Sequence, residues 1–212
     1  PTATPGLKAA AKTSIENSDS NASAATKVVL HPVEYFRKIS DSHQTYRRVL
    51  ARVGRRLSLK EMWPTVAEVW IEVLVANSDP AVKFEAIQRW NEAVKKATAS
   101  KTDRFRFIEH TVITAQEIRA RGARLDGKLS KKELSQLRFL EIVSRDIATR
   151  MQQAARERNL PEEFATAAKA YEIYQIGFPQ NRESTKMLVN KAESLYRAED
   201  WTKAGLEFEG LA

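Results

Sequence analysis

From residue 43 onward the chain places large apolar side chains three and four residues apart, with charged residues between them. Tyr46, Val49, Leu50, Val53 and Leu57 recur this way, then Val66, Ala67, Trp70, Val73 and Leu74, then Phe84, Ile87, Trp90, Ala93 and Val94. Leu134, Leu137, Phe139, Leu140, Val143 and Ile147 form a fourth such set. A spacing of 3.6 residues puts each set on one side of a helix, so the pattern predicts amphipathic helices and an all-α fold. Breaks fall where turn chemistry expects them. His31-Pro32 reads as a non-helical lead-in, and Ser40 or Asp41 as a helix cap. Trp63-Pro64 opens a helix that ends at Asn77-Ser78-Asp79-Pro80. Glu85 with Arg89, and Glu92 with Lys96, are spaced to pair along the helix after it.

The last quarter of the chain carries one unit written twice. Starting at Met151, MQQAARERNLPEEFATAAKAYEIY is echoed by LVNKAESLYRAEDWTKAGLEFEGL starting at Leu188. At a constant offset Ala155 falls on Ala192, Phe164 on Trp201, Ala167 on Ala204, Ala168 on Gly205, Tyr171 on Phe208 and Tyr174 on Leu211. A period near 34 residues, of order the one seen here, is the mark of stacked helical hairpins whose apolar faces only a neighbour can cover. A more eroded hairpin of the same kind is expected to begin at WPTVAEVWIEVLVANSDP.

Within this unit, AESLYRAEDWTKAGLEFEGLA resembles the core of a tetratricopeptide repeat, although the Trp and Tyr that mark the first helix of that repeat are missing and Pro179 is only loosely placed. The resemblance is confined to residues 151–212 and implies a peptide- or protein-binding scaffold with no chemistry attached. Two architectures follow: a helical-hairpin, tetratricopeptide-like array, or an irregular bundle whose hairpins look alike because amphipathic helices look alike. The candidate protein-docking residues are Phe164, Tyr171, Tyr174, Trp201 and Phe208. The expected divisions are an extended low-complexity arm over 1–30, a basic helical region over 31–147 and tandem hairpins over 148–212.

Charge divides the chain as well. Of its 212 residues, those before position 141 hold 25 basic and 15 acidic side chains, giving +10, whereas the remainder hold 10 and 12, giving −2. The densest basic stretch is one helical stripe. Arg48, Arg52, Arg55 and Arg56 lie opposite the apolar face of the helix from residue 43, flanked by Arg47 and Lys60, with no acid before Glu61. Guanidinium groups one turn apart can each meet a phosphate, so this stripe is the candidate contact for RNA, an anionic lipid surface or an acidic partner. The competing expectation is a solvated face paired with acids of a neighbouring helix.

Other classes recede. There are no cysteines, hence no disulfide, thiolate nucleophile or cysteine-ligated zinc. The most apolar window, VAEVWIEVLVA, is interrupted by Glu68 and Glu72, and no apolar run is long enough to span a membrane. LDGKLSKKEL looks like the second half of an EF-hand loop closed by Glu133, but Gly122 and Arg124 stand where two carboxylates belong. The better expectation is a turn at Gly127 with Ser130 capping the next helix. His31, His43 and His110 are scattered outside any metal-ligand spacing, and no phosphate-binding glycine loop or nucleophile elbow is present. Glu162-Glu163 and Glu199-Asp200 fit first-turn positions that favour a helix dipole. Neither an enzyme nor a cofactor is expected.

The 1–30 stretch is rich in Ala, Ser, Thr and Asn and cannot offset its own ordering entropy, so it is expected to be an arm held by a partner. A start at Pro1 fits removal of an initiator or of a targeting segment. The leading expectation is a non-catalytic structural subunit of a large assembly, mitochondrial (a respiratory or ATP synthase complex or a ribosome) or otherwise cytoplasmic. It would dock other protein subunits through its hairpins and arm, with apolar surface left open at the C-terminal hairpin. The alternative is an RNA-binding viral helical coat protein or nucleoprotein. A peptide-binding adaptor using a concave face near Tyr171, Tyr174 and Trp201 is a third.

Overall fold

The computed structural model describes residues 31–97, 99–124 and 128–211, and all of its regular structure is helical. Nine helices follow in order among these residues: α1 Pro32–Ile39, α2 His43–Leu59, α3 Trp63–Ala76, α4 Pro80–Lys96, α5 Lys101–Arg124, α6 Lys131–Arg158, α7 Pro161–Gly177, α8 Ser184–Arg197 and α9 Trp201–Glu209. The fold is all-α, an array in which α2, α3 and α4 pack in succession and α6, α7, α8 and α9 do the same. The long α5 lies between the two runs and touches α3, α4, α6 and α7. The expected arm over 1–30 and the turn glycine Gly127 lie outside the described residues.

Caps explain most of the boundaries. The Ser42 hydroxyl accepts the Thr45 amide at 3.2 Å and starts α2, in place of the expected Ser40 or Asp41. Asp79 caps α4 by accepting from the Ala81 amide, and prolines occupy the first turns of α1, α3, α4 and α7, where no amide partner is needed. Ser130 and Glu133 form a reciprocal capping box at the start of α6. The Glu133 carboxylate, the closing residue of the EF-hand-like stretch, is therefore engaged by its own helix start. At the end of α6 Asn159 adopts a left-handed backbone conformation, φ 51°, which closes the helix and turns the chain into α7. His31-Pro32, expected as a lead-in, opens the short α1.

The core begins at α3, which is buried on nearly every side through Val66, Val69, Trp70, Ile71, Val73 and Leu74. It can lie so deep because α2 approaches it at a glycine: a Cβ on Gly54 would sit 2.8–3.1 Å from the Trp70 ring. Trp90 of α4 stacks on Phe107 of α5 with ring centroids 4.0 Å apart, and Phe84 meets Phe139 of α6 edge-on. The apolar core runs on without a break through Leu140, Val143 and Ile147 into Tyr171 and Tyr174. The division expected between 147 and 148 falls inside α6. A smaller cluster of Ala168, Leu195 and Ala204 joins α7, α8 and α9.

Charged side chains tie these helices together across the sequence. Glu72 of α3 accepts from Arg37 of α1 at 3.2 Å and from Arg106 of α5 at 2.5 Å. Lys83 of α4 is buried and donates to Glu117 of α5 at 2.6 Å. The pairs expected within α4 are replaced: Glu85 takes Arg55, Arg89 takes Glu92 at 3.6 Å, and the Lys96 ammonium lies 3.8 Å above the Trp63 ring. For Glu85 and Lys96, contact with neighbouring helices outcompetes the modest gain of about 0.2–0.5 kcal/mol from a pair along one exposed helix, and Arg89 and Glu92, left by their expected partners, pair with each other.

Candidate functional site

Residues of α2 that bury Tyr46, Leu50 and Gly54 turn the opposite arc of that helix toward solvent. On that arc Arg47, Arg48, Arg52 and Arg55 line a groove of about 460 Å³. Its far wall is Asn77, Ser78 and Asp79, the turn from which α4 starts, together with Val82. Arg56 and Lys60, which belong to the same stripe in sequence, are exposed but lie outside the groove, because they sit further round the helix. Thus the stripe divides into four cations that converge and two that do not.

The four are not equivalent. Arg55 donates from Nε and Nη2 to the two oxygens of Glu85 at 2.9 and 2.6 Å, so the expected pairing with a neighbouring helix holds for this residue. Those hydrogen bonds hold the Glu85 carboxyl below the usual carboxylate range. Arg47, Arg48 and Arg52 make no ion pair among the described residues, and the Arg47 Nε is buried with no hydrogen-bond partner there. The acid of the opposite wall, Asp79, is occupied in capping α4. The groove therefore keeps a net positive charge, with three arginines that lack an ion pair among the described residues against the one Asp79 carboxylate, beside a helix N-terminus whose partial charge is also positive.

The candidate docking residues separate into two groups. Phe164, at 1 % exposure, and Tyr171 and Tyr174, both fully buried, belong to the core and are corrected from docking residues to packing residues. Their hydroxyls explain why two tyrosines can lie so deep. Tyr171 donates to the Gln152 amide oxygen at 2.9 Å, and Tyr174 donates to Glu141 at 2.8 Å. Both acceptors are buried residues of α6. Burial first, and then the hydrogen bond to Glu141, push the Tyr174 hydroxyl well above its ordinary pKa, so it stays a donor.

Trp201 and Phe208, in contrast, are 55 % and 44 % exposed and share one side of α9. Tyr196, also exposed, meets Trp201 edge-on with ring centroids 4.7 Å apart. Two of the small positions of the duplicated unit behave alike, since Ala155 and Ala192 are buried, as are Ala167 and Ala204, whereas Ala168 is buried and its counterpart Gly205 is exposed. The aromatic positions do not. In the first copy they are covered by α8, whose Arg197 lies over the Phe164 ring, whereas their counterparts in the second copy face outward. Glu199, expected in a first turn, precedes α9 in a left-handed conformation, and Asp200 caps that helix by accepting from the Lys203 amide.

Sequence spacing missed a further cluster. Lys101 and Arg104 of α5 and Arg158 of α6 gather around Glu163 of α7, with Lys101 at 3.7 Å and Arg158 at 3.3 Å from its carboxylate. Burial and the nearby Arg150 and Arg158 lower the Arg104 pKa. These residues come from three helices, so only the fold brings them together. Compared with known proteins, the chain matches no family, no curated protein and no solved structure.

Proposed function

We propose that this chain is a non-catalytic structural subunit of a larger assembly, which it joins by seating the aromatic edge of α8 and α9 against another protein subunit. The observation that carries this is the contrast between equivalent positions of the duplicated unit: Phe164 and Tyr171 are covered by the next helix, while Trp201 and Phe208 stand open beside Tyr196. Large aromatic side chains grouped on one exposed edge are the usual anchors of protein interfaces, where one or two such residues supply most of the binding energy. Exposed charged residues adjoin the edge in sequence, Arg197 and Glu199 before Trp201 and Glu209 after Phe208, and supply the polar rim that such an edge needs. The basic balance of the chain suits a mitochondrial complex as the setting.

The test is site-directed photocrosslinking in the native host. A benzophenone amino acid placed at Phe208 should give a crosslink of one defined mass to a neighbouring subunit, whereas one placed at the exposed Gln153 of α6 should give none. Equal and diffuse labelling from both positions would remove the proposal.

A further inference from the structure

The aromatic edge leaves the groove on the other half of the molecule without a role. We propose that the groove between α2 and the start of α4 binds the phosphate backbone of single-stranded nucleic acid, holding it by charge without reading its bases. Three observations lead there. Arg48 and Arg52 lie four residues apart on one face of α2, about 6 Å along the axis, a separation comparable with that of successive phosphates along an extended strand. Arg47 and both of these arginines lack an ion pair among the described residues, and the buried Arg47 Nε is a donor with no acceptor there. Of the nearby acids, Glu85 is paired with Arg55 through both oxygens and Asp79 caps α4 through Oδ1, which leaves three arginines against one carboxylate in the groove.

The groove's shape and lining choose among anionic partners. A lipid surface is flat and would reach the outward Arg56 and Lys60 before it reached a recess. The planar forks of arginine suit the paired oxygens of a phosphodiester, and a strand threads a recess more readily than a folded acidic surface does. No aromatic ring lines the groove among the described residues, so the stacking platforms that usually hold single-stranded bases are missing. Gln44, Asn77 and Ser78 offer a few polar contacts, too sparse for a base code. Binding should therefore be weak, electrostatic and indifferent to sequence.

The magnitude follows from charge. With three unpaired arginines, the slope of log K against log salt for a single strand is about −2, so affinity falls roughly twentyfold between 50 and 200 mM salt. Labelled 12-nucleotide oligo(U) and oligo(A) are titrated with the full chain, and anisotropy is followed at both salt concentrations. The expected result is the same Kd for both oligonucleotides and that salt slope. The Arg48→Glu/Arg52→Glu variant should bind at least tenfold more weakly and the Arg48→Gln/Arg52→Gln variant should lose about 1.4 of the slope, each with helical circular dichroism retained. An Arg182→Glu/Lys186→Glu variant makes the same change in net charge at exposed residues far along the chain and should bind as the parent does. Equal loss in this control would reduce the effect to overall charge and overturn the proposal. So would tighter binding to a 12-residue poly-glutamate or to vesicles with one quarter phosphatidylserine than to either oligonucleotide. The Trp201→Glu/Phe208→Glu variant should retain full oligonucleotide affinity, so failure of the groove and failure of the docking edge are separately visible.

Discussion

Replacing Tyr174 with phenylalanine removes one oxygen and leaves the ring and its packing in place. The hydroxyl donates to Glu141 Oε1 at 2.8 Å, and Glu141 is almost wholly buried. Its remaining close partner on that oxygen is Arg145 Nε at 3.5 Å, and Arg145 also reaches toward Glu183 at 3.4 Å. A hydrogen bond to a charged buried group contributes about 1.5–3 kcal/mol, and a carboxylate left behind with one long contact suffers its desolvation as well. Tyr171→Phe is the matched comparison, because Tyr171 is equally buried but donates to the neutral Gln152, so about 0.5–1.5 kcal/mol is expected there. Urea unfolding followed by circular dichroism should place Tyr174→Phe at about 2 kcal/mol below the parent with an unchanged m-value, and Tyr171→Phe at about half that loss. In heat the first corresponds to a fall of roughly 4–8 °C in Tm. If Tyr174→Phe loses less than about 0.5 kcal/mol, or if Tyr171→Phe loses more than Tyr174→Phe, the charged acceptor is not what makes the α6–α7 contact strong.

Other perturbations test separate parts of the structure. Gly54→Ala adds a methyl 2.8–3.1 Å from the Trp70 ring; overpacking of about 1–3 kcal/mol should outweigh the helix-propensity gain of about 1 kcal/mol, so urea unfolding should show a net loss. A more stable Gly54→Ala chain would mean that α2 and α3 are not in close contact. The fold raises the Tyr174 pKa above the unfolded value near 10, so the neutral form is the one stabilised; that contribution is complete below pH 10 and lost as pH rises beyond it. Urea midpoints between pH 8 and 11 should fall at the alkaline end, and less steeply for Tyr174→Phe. Of the four tryptophans, Trp70 and Trp90 are fully buried, Trp63 is half-buried beneath Lys96, and Trp201 is the most exposed. Trp201→Phe should therefore remove the long-wavelength part of the emission, and an unshifted spectrum would contradict an open edge.

The helices were legible because their apolar spacing is regular and their caps are local. Ser130 and Trp63-Pro64 each mark a start from a few residues of sequence, and Asn77 to Pro80 marks a break, although there Asp79 and Pro80 also begin α4. Burial was harder to foresee. Tyr171 and Tyr174 carry polar groups that suit a surface as well as a core, and what settles the matter is the pair of acceptors on α6, 19 and 33 residues away. Likewise the arginine stripe is visible as a helical face, yet its division into four converging and two diverging residues depends on where the turn before α4 lies. Arg55 could not be assigned to Glu85 from spacing alone, because Glu85 has Arg89 one turn away on its own helix. The cluster around Glu163 has no sequence signal, since its members are contributed by α5, α6 and α7.

The most direct measurement is the size of the native particle that carries the chain, compared for the parent and for Trp201→Glu/Phe208→Glu under mild lysis. Both substitutions lie at exposed positions and should leave the helical spectrum unchanged. The account predicts that the parent elutes in a particle much larger than one chain, at a fixed ratio to its neighbours, and that the double variant elutes as a folded single chain. Retention of the double variant in the same particle at the same ratio would contradict it.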